Sequence, residues 1–283
     1  MAEEKSRRYE PLSASRHAHW RLIPGGGYGF AAEHVLVPIV LAELPYALRA
    51  MPVAFTPAGS GYQLQAVLGL EPGQNVFTNA RGQWRSGAYI PALLRAHPFR
   101  LLASGERREV IGVDPSSEQL TRDPYLGEPL FDAEGSPAPV LERRMALLRQ
   151  VARSQAGTER AVQALAGEGV IEPWPITYPG EDGGKRRVQG LYQVRESTMQ
   201  TLDGAAFERL RDAGALSLAY GQMFSRSHAR RLVRWMRAKR RAEGLPAANE
   251  VFDPTPLEEQ ALDWDALDET SDDRSDERGD EHG

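Results

Sequence analysis

Two sets of side chains in this 283-residue chain could do chemistry. The first is built on imidazoles. On an extended segment His17-x-His19 would point both rings to one face, because alternate residues of a strand share a side. His34, with Glu33 or Glu43, could then complete a metal site of the two-histidine, one-carboxylate kind. The second set is cationic. Residues 226–241 hold eight arginines and lysines, and Arg226, Arg230, Arg234, Arg237 and Arg241 fall within about 80° of one another on a helical wheel. Such a stripe repels itself unless something anionic lies against it. Nucleic acid, anionic lipid, an acidic protein and the chain's own tail are the candidate partners; a simply solvated face is the other reading.

Other chemistries lack their residues. With no cysteine, the chain has no disulfide framework, thiolate metal site or thiol nucleophile. The nucleophile-elbow pattern Gly-x-Ser-x-Gly does not occur, since Gly59-Ser60-Gly61 lacks the frame. Pro24-Gly25-Gly26-Gly27 reads as a turn, because a dinucleotide fingerprint counted from Gly25 would need glycine where Phe30 stands. No cofactor-binding motif emerges. Carboxylates crowd the tail, where solvation blunts acid-base catalysis. Glu43, alone among the acids, sits in an apolar stretch and reads as a capping or pairing group.

The net charge of −5 conceals two opposite parts. Residues 250–283 carry 14 acidic side chains against Arg274 and Arg278, which leaves the first 249 residues at +7. The tail has too little apolar content for its charge to order itself, apart from Leu257, Leu262, Trp264 and Leu267. Asp263, Asp265, Asp268 and Glu269 lie among those residues. Tethering gives them a high effective concentration at the basic helix, so the expected partner of the arginines is the chain's own tail.

The elements that must position these groups divide into three stretches. Residues 1–130 read as a β-rich part: an extended entry over 9–23, an irregular or edge strand at Val35–Val40 around Pro38, a short helix over 41–50, strands at 52–56 and 62–70, and a hairpin over 99–113. Residues 131–249 read as a helical part, with one helix over 137–153 and a second over 158–166 that is limited by Gly167 and Gly169. A hairpin over 174–194 turns at Asp182-Gly183. Asp203 caps the next helix and Gly214 ends it. Beyond Gly214, Leu216, Ala219, Tyr220, Met223 and Phe224 share one face, whereas Leu232, Trp235 and Met236 lie opposite. The wheel therefore predicts a break near residues 225–228 and a separate basic helix, 226–241, turned away from the core as a charged appendix. Residues 250–283 form the disordered acidic tail. The fold class is α+β.

The series Phe30-Ala31, Val37-Pro38-Ile39, Glu43, Met51 to Phe55, Val67-Leu68-Gly69-Leu70, Asn75, Gly82-Gln83-Trp84, Tyr89-Ile90-Pro91, Arg95 to Phe99 and Leu130-Phe131-Asp132 with Gly135 resembles the SapC family of bacterial proteins. Gly190 to Val194, Phe207, Gly214-Ala215-Leu216, Ala219-Tyr220 and Ser225 continue the likeness, which covers residues 9–228. The resemblance implies association with a bacterial surface layer or with outer-membrane uptake systems, in an accessory role and without an established catalytic set. It also brings a permease label, which conflicts with the absence of any apolar run long enough to cross a membrane. The N-terminus lacks the apolar core of a signal peptide, so the expected location is the cytoplasm, with leaderless export to the surface as the alternative. Three functions remain open: a non-enzymatic binding or accessory protein, a small-molecule enzyme on the His/carboxylate set, and a structural surface-layer protein.

Overall fold

The computed structural model describes residues 9–102, 110–180 and 184–244, and shows a mixed α+β chain of two compact units. The tail expected to be disordered lies outside the described residues. The smaller unit takes its described residues from Met1–Ile23 and Pro98–Leu148. It holds two three-stranded antiparallel sheets. One places Val110–Val113 between Glu10–Pro11 and Phe99–Leu102, so the expected 99–113 hairpin forms with Phe99 opposite Val113. The other places Arg21–Leu22 between Leu120–Thr121 and Glu128–Pro129. The entry segment is not extended throughout, because Ala14–His17 turns into one short helix and buries His17.

The larger unit draws on Pro24–His97 and Arg149–Glu259. Its centre is a five-stranded antiparallel sheet of β1 (Leu36–Pro38), β2 (Val53–Ala58), β3 (Gly61–Val67), β4 (Ile171–Pro173) and β5 (Tyr192–Val194), in the order β4-β5-β2-β3-β1. Pro38 cannot donate to a ladder, and β1 accordingly takes an edge. β2 and β3 form a hairpin from Val53 opposite Ala66 to Ala58 opposite Gly61, with Gly59 at φ 50 in its turn. The 174–194 hairpin is present only in part, and the turn expected at Asp182-Gly183 lies outside the described residues. Ile176–Pro179 pairs with Lys185–Val188, but at Gly190, φ 77, the chain turns away so that β5 can join the main sheet. One contiguous core fills this unit, centred on Phe55, Leu64, Leu68, Leu70, Phe77, Leu165, Val194, Leu210 and Leu218.

Four long helices follow: α1 (Pro139–Gly167), α2 (Gly204–Asp212), α3 (Ala215–Ser225) and α4 (Ala229–Glu243). α1 is a single 29-residue helix where the sequence suggested two. Gly157 lies in its interior and does not break it, because a glycine there costs only about 0.5–1 kcal/mol, less than the apolar contacts on either side return. A Cβ at Gly157 would meet nothing closer than the Arg160 guanidinium at 3.8 Å. Gly157→Ala is therefore expected to stabilise the protein by about 0.5–1 kcal/mol, read as a higher urea midpoint.

Asp203 caps α2 by accepting the Ala206 N–H at 2.7 Å, and Gly214 separates α2 from α3 at φ 70, both as the sequence indicated. The reading of α3 and α4 needs correction. α3 buries Ala215, Leu218, Ala219, Gly221, Gln222 and Ser225, while Tyr220 and Phe224 are 41% and 74% exposed. The aromatic residues are thus on its outer side, and Leu218 faces inward with the small and polar residues. A 3-10 turn at Arg226–His228 links α3 to α4 where a break was expected. Across it the buried face continues through Ala229, Leu232, Met236 and Arg240. α4 is consequently part of the core, not an appendix turned away from it.

Candidate anion-facing site on the C-terminal helix

Small residues let α3 approach the sheet closely. A Cβ on Gly221 would come within 2.9 Å of Leu48 and 3.1 Å of Leu44, so glycine admits the short helix Leu44–Ala47 against α3. Gln222 then enters the sheet itself. β5 and β2 pair only at Tyr192 and Phe55, and beyond that point the Gln222 amide bridges them. It accepts the Val194 N–H at 3.0 Å and donates to the Val53 carbonyl at 3.1 Å, while Ser225 Oγ accepts the Val53 N–H at 3.0 Å. α3 is fixed by hydrogen bonds that substitute for a missing rung of the ladder.

This anchoring orients α4, whose leucine, methionine, alanine and basic residues favour helix and whose end at Gly244 takes φ 63. Several of its cations are consumed in docking. Arg240 is 4% exposed and pairs with Glu71, 2% exposed, which also accepts the Tyr178 hydroxyl at 2.8 Å. Burial, then the bond to Glu71, pushes the Tyr178 hydroxyl above its ordinary pKa. Lys239 donates to the carbonyls of Asn75 and Thr78 at 2.7 and 3.0 Å, Arg237 to that of Pro179 at 2.6 Å, and Arg231 to that of Ala50. His228 Nε2 donates to the Leu48 carbonyl at 2.7 Å, because a carbonyl can only accept.

Trp235 sits between cations. The guanidinium carbons of Arg85 and Arg231 lie 4.0 and 4.9 Å from its ring centroid, and Phe77 meets the ring edge-to-face at 5.5 Å. Cation–π attraction holds the arginines there. Arg85 loses proton affinity through burial and then through the charge of Arg231, and Arg231 loses it through burial and then through Arg234. Arg85, Arg231 and Arg234 therefore press like charges together.

Of the stripe proposed from sequence, Arg230, Arg234 and Arg241 are exposed, and among the described residues none of them has an ion pair. Arg226 and Arg237 lie at its margins, half-buried. Arg226 donates to Gln193 Oε1 at 3.2 Å and stands 3.5 Å from Glu196, while Arg237 is held by the Pro179 carbonyl. The stripe thus has three outward cations and two anchored ones.

The metal-ligand set is distributed differently. His17 and His19 belong to the smaller unit, His34 and Glu43 to the larger. His17 is buried in a helical turn with Nε2 2.9 Å from Glu10 Oε1, whereas His19, two residues on, is exposed. The helical turn removes the shared face that an extended segment would give them. His34 is half-buried near the Phe30 ring. Glu43 is 5% exposed and accepts the N–H groups of Val40 and Ala92, at 3.1 and 2.7 Å, and the Tyr89 hydroxyl at 2.9 Å. Burial raises its pKa against those bonds. It caps two short helices, the structural role its place in an apolar stretch suggested. Among the described residues no three His, Asp or Glu side chains stand close enough to hold a metal ion.

The Glu71–Arg240–Tyr178 cluster and the Gln222 bridge were not found from sequence. A faint signal existed for the first, since Glu71 directly follows the buried run ending at Leu70 and Arg240 stands four residues beyond Met236 on its apolar face.

These features define a two-unit α+β protein whose last described helix is both core element and cationic surface. The SapC family model matches residues 12–232, well over half the chain, and the protein belongs to that family. The match ends within the first turns of α4, so Met236, Lys239 and Arg240 lie beyond it. No curated protein and no solved structure matches the chain. Among the described residues no helix is long and apolar enough to cross a membrane.

Proposed function

We propose that this protein is a non-enzymatic binding or accessory protein whose anion-facing surface is the outward stripe of α4, and that its acidic segment, 250–283, covers that stripe in the full chain. The outward Arg230, Arg234 and Arg241 of α4, on a helix whose Trp235 already holds Arg85 and Arg231 at 4.0 and 4.9 Å, carry this reading. Each guanidinium keeps its charge at any physiological pH, so only a nearby anion relieves the repulsion. The tail supplies 14 carboxylates on the same chain, and a tethered partner outcompetes a free one at equal contact energy. The cysteine-free composition goes with a reducing, cytoplasmic setting, and the family name with a link to surface-layer or outer-membrane uptake; fractionation of native cells tests the location.

Deleting residues 250–283 tests the covering. The truncated protein is expected to bind duplex DNA or anionic vesicles that the full chain ignores. Three to five arginine–phosphate contacts give a slope of log affinity against log salt of about −3 to −5. Should both proteins ignore DNA and vesicles at low salt, the covering does not exist.

A further inference from the structure

The outward side of α3 is apolar where the outward side of α4 is cationic. Because the buried face runs on through the Arg226–His228 turn, the exposed residues Tyr220, Phe224, Arg230, Arg234 and Arg241 also fall along one continuous stripe. Leu216 and Met223, half-buried, form its shoulders. Exposed aromatic side chains beside unpaired arginines call for a partner that is apolar and acidic along the same length.

The chain contains such a sequence beyond Gly244. Thr255-Pro256-Leu257-Glu258 places threonine, proline and glutamate at the N-cap, first and third positions of a capping box. At helical spacing from that start, Leu257, Ala261, Trp264 and Leu267 fall within about 120°. Asp263, Asp265 and Glu269 flank that arc, Asp268 falls inside it, and Leu262 lies on the opposite side. Ten residues separate Gly244 from Thr255 and reach about 33 Å when extended. Phe224 lies about 30 Å back along the helices from Gly244 by helical rise, so a nearly fully extended linker spans that distance.

We infer that residues 255–269 dock on the outward stripe of α3 and α4 as an amphipathic helix, with Leu257, Trp264 and Leu267 against Tyr220 and Phe224 and the flanking carboxylates among Arg230 and Arg234. The inference rests on the proposed covering of the arginines and names the segment and the contacts that perform it. Electrostatics alone would let any part of the tail wander over the cations. The aromatic residues give it a register, because apolar contacts are short-ranged and are lost when the segment shifts.

Photocrosslinking tests this directly. Phe224 is replaced by p-benzoylphenylalanine in the full chain, the dilute protein is irradiated, and the joined peptides are mapped by mass spectrometry. Intramolecular links to peptides spanning residues 255–269 are expected, and they should fall to background when Leu257, Trp264 and Leu267 are all changed to Ser. Links elsewhere, no links, or links found only in covalent dimers would each overturn the inference, the last by placing a second copy on the face. The two readings fail separately. If the truncated protein gains DNA binding but position 224 never joins the tail, the covering is purely electrostatic. If the links form and the truncated protein binds no anion, the docking stands and the anion-binding function falls.

Discussion

Glu71→Gln is expected to destabilise the protein by about 3–5 kcal/mol, the cost of leaving one partner of a buried ion pair charged and alone. The amide is close in size, so the loss comes from charge and not from a cavity. Arg240 is buried with Glu71 as its ion-pair partner, and Tyr178 donates to the same carboxylate, so a single change disturbs helix α4, the loop after Leu70 and the strand carrying Tyr178. Glu71→Leu combined with Arg240→Met is expected to cost much less than either single change, because apolar side chains of similar volume replace a buried pair at little net cost. Urea unfolding of the four proteins closes the cycle. A cost below about 1 kcal/mol for Glu71→Gln would put the pair in the class of solvated surface bridges and would remove the argument that α4 is locked into the core.

The second large effect is expected at Gln222. Gln222→Leu keeps the volume near constant and strips the amide from between β2 and β5. The Val194 N–H would then be buried without a partner and the Val53 carbonyl would keep only the Ser225 hydroxyl at 3.5 Å, for a total cost of about 1–4 kcal/mol. Hydrogen exchange supplies a local readout: the Val194 amide is expected to lose protection ahead of the β2–β3 ladder, which keeps its own partners. Gln222→Glu separates the two halves, since it retains an acceptor for Val194 and loses the donor to Val53. Uniform exchange across the sheet in Gln222→Leu would mean that the two strands pair without the bridge.

Both residues lie where sequence reading loses its hold. The Gln222 side chain meets Val53 across 169 positions and Val194 across 28, and Arg240 meets Glu71 across 169. No local pattern marks such partners, because each residue obeys the rules of its own helix and gains its meaning only from what packs against it. The α3 face was misread for a related reason. Hydrophobicity orders Leu216, Ala219, Tyr220, Met223 and Phe224 as the inward stripe, of which only Ala219 is fully buried, since a helix crossing a sheet and a second helix at close range needs small inward residues. Ala215, Ala219, Gly221 and Ser225 meet that need. The aromatic residues are displaced outward and become surface.

Local chemistry, by contrast, was readable residue by residue. Asp203 at an N-cap, Gly214 in the left-handed region and Pro38 on an edge strand each follow from backbone sterics or from a hydrogen bond made within a few positions. The α+β class and the SapC membership also came from the order of residues along the chain. The tertiary structure alone decided the inward and outward sides of α3 and α4, the unbroken length of α1, and the placing of the histidines in two different units. Those outcomes depend on competition between surfaces distant in sequence, and the winning surface is the one whose shape allows close packing.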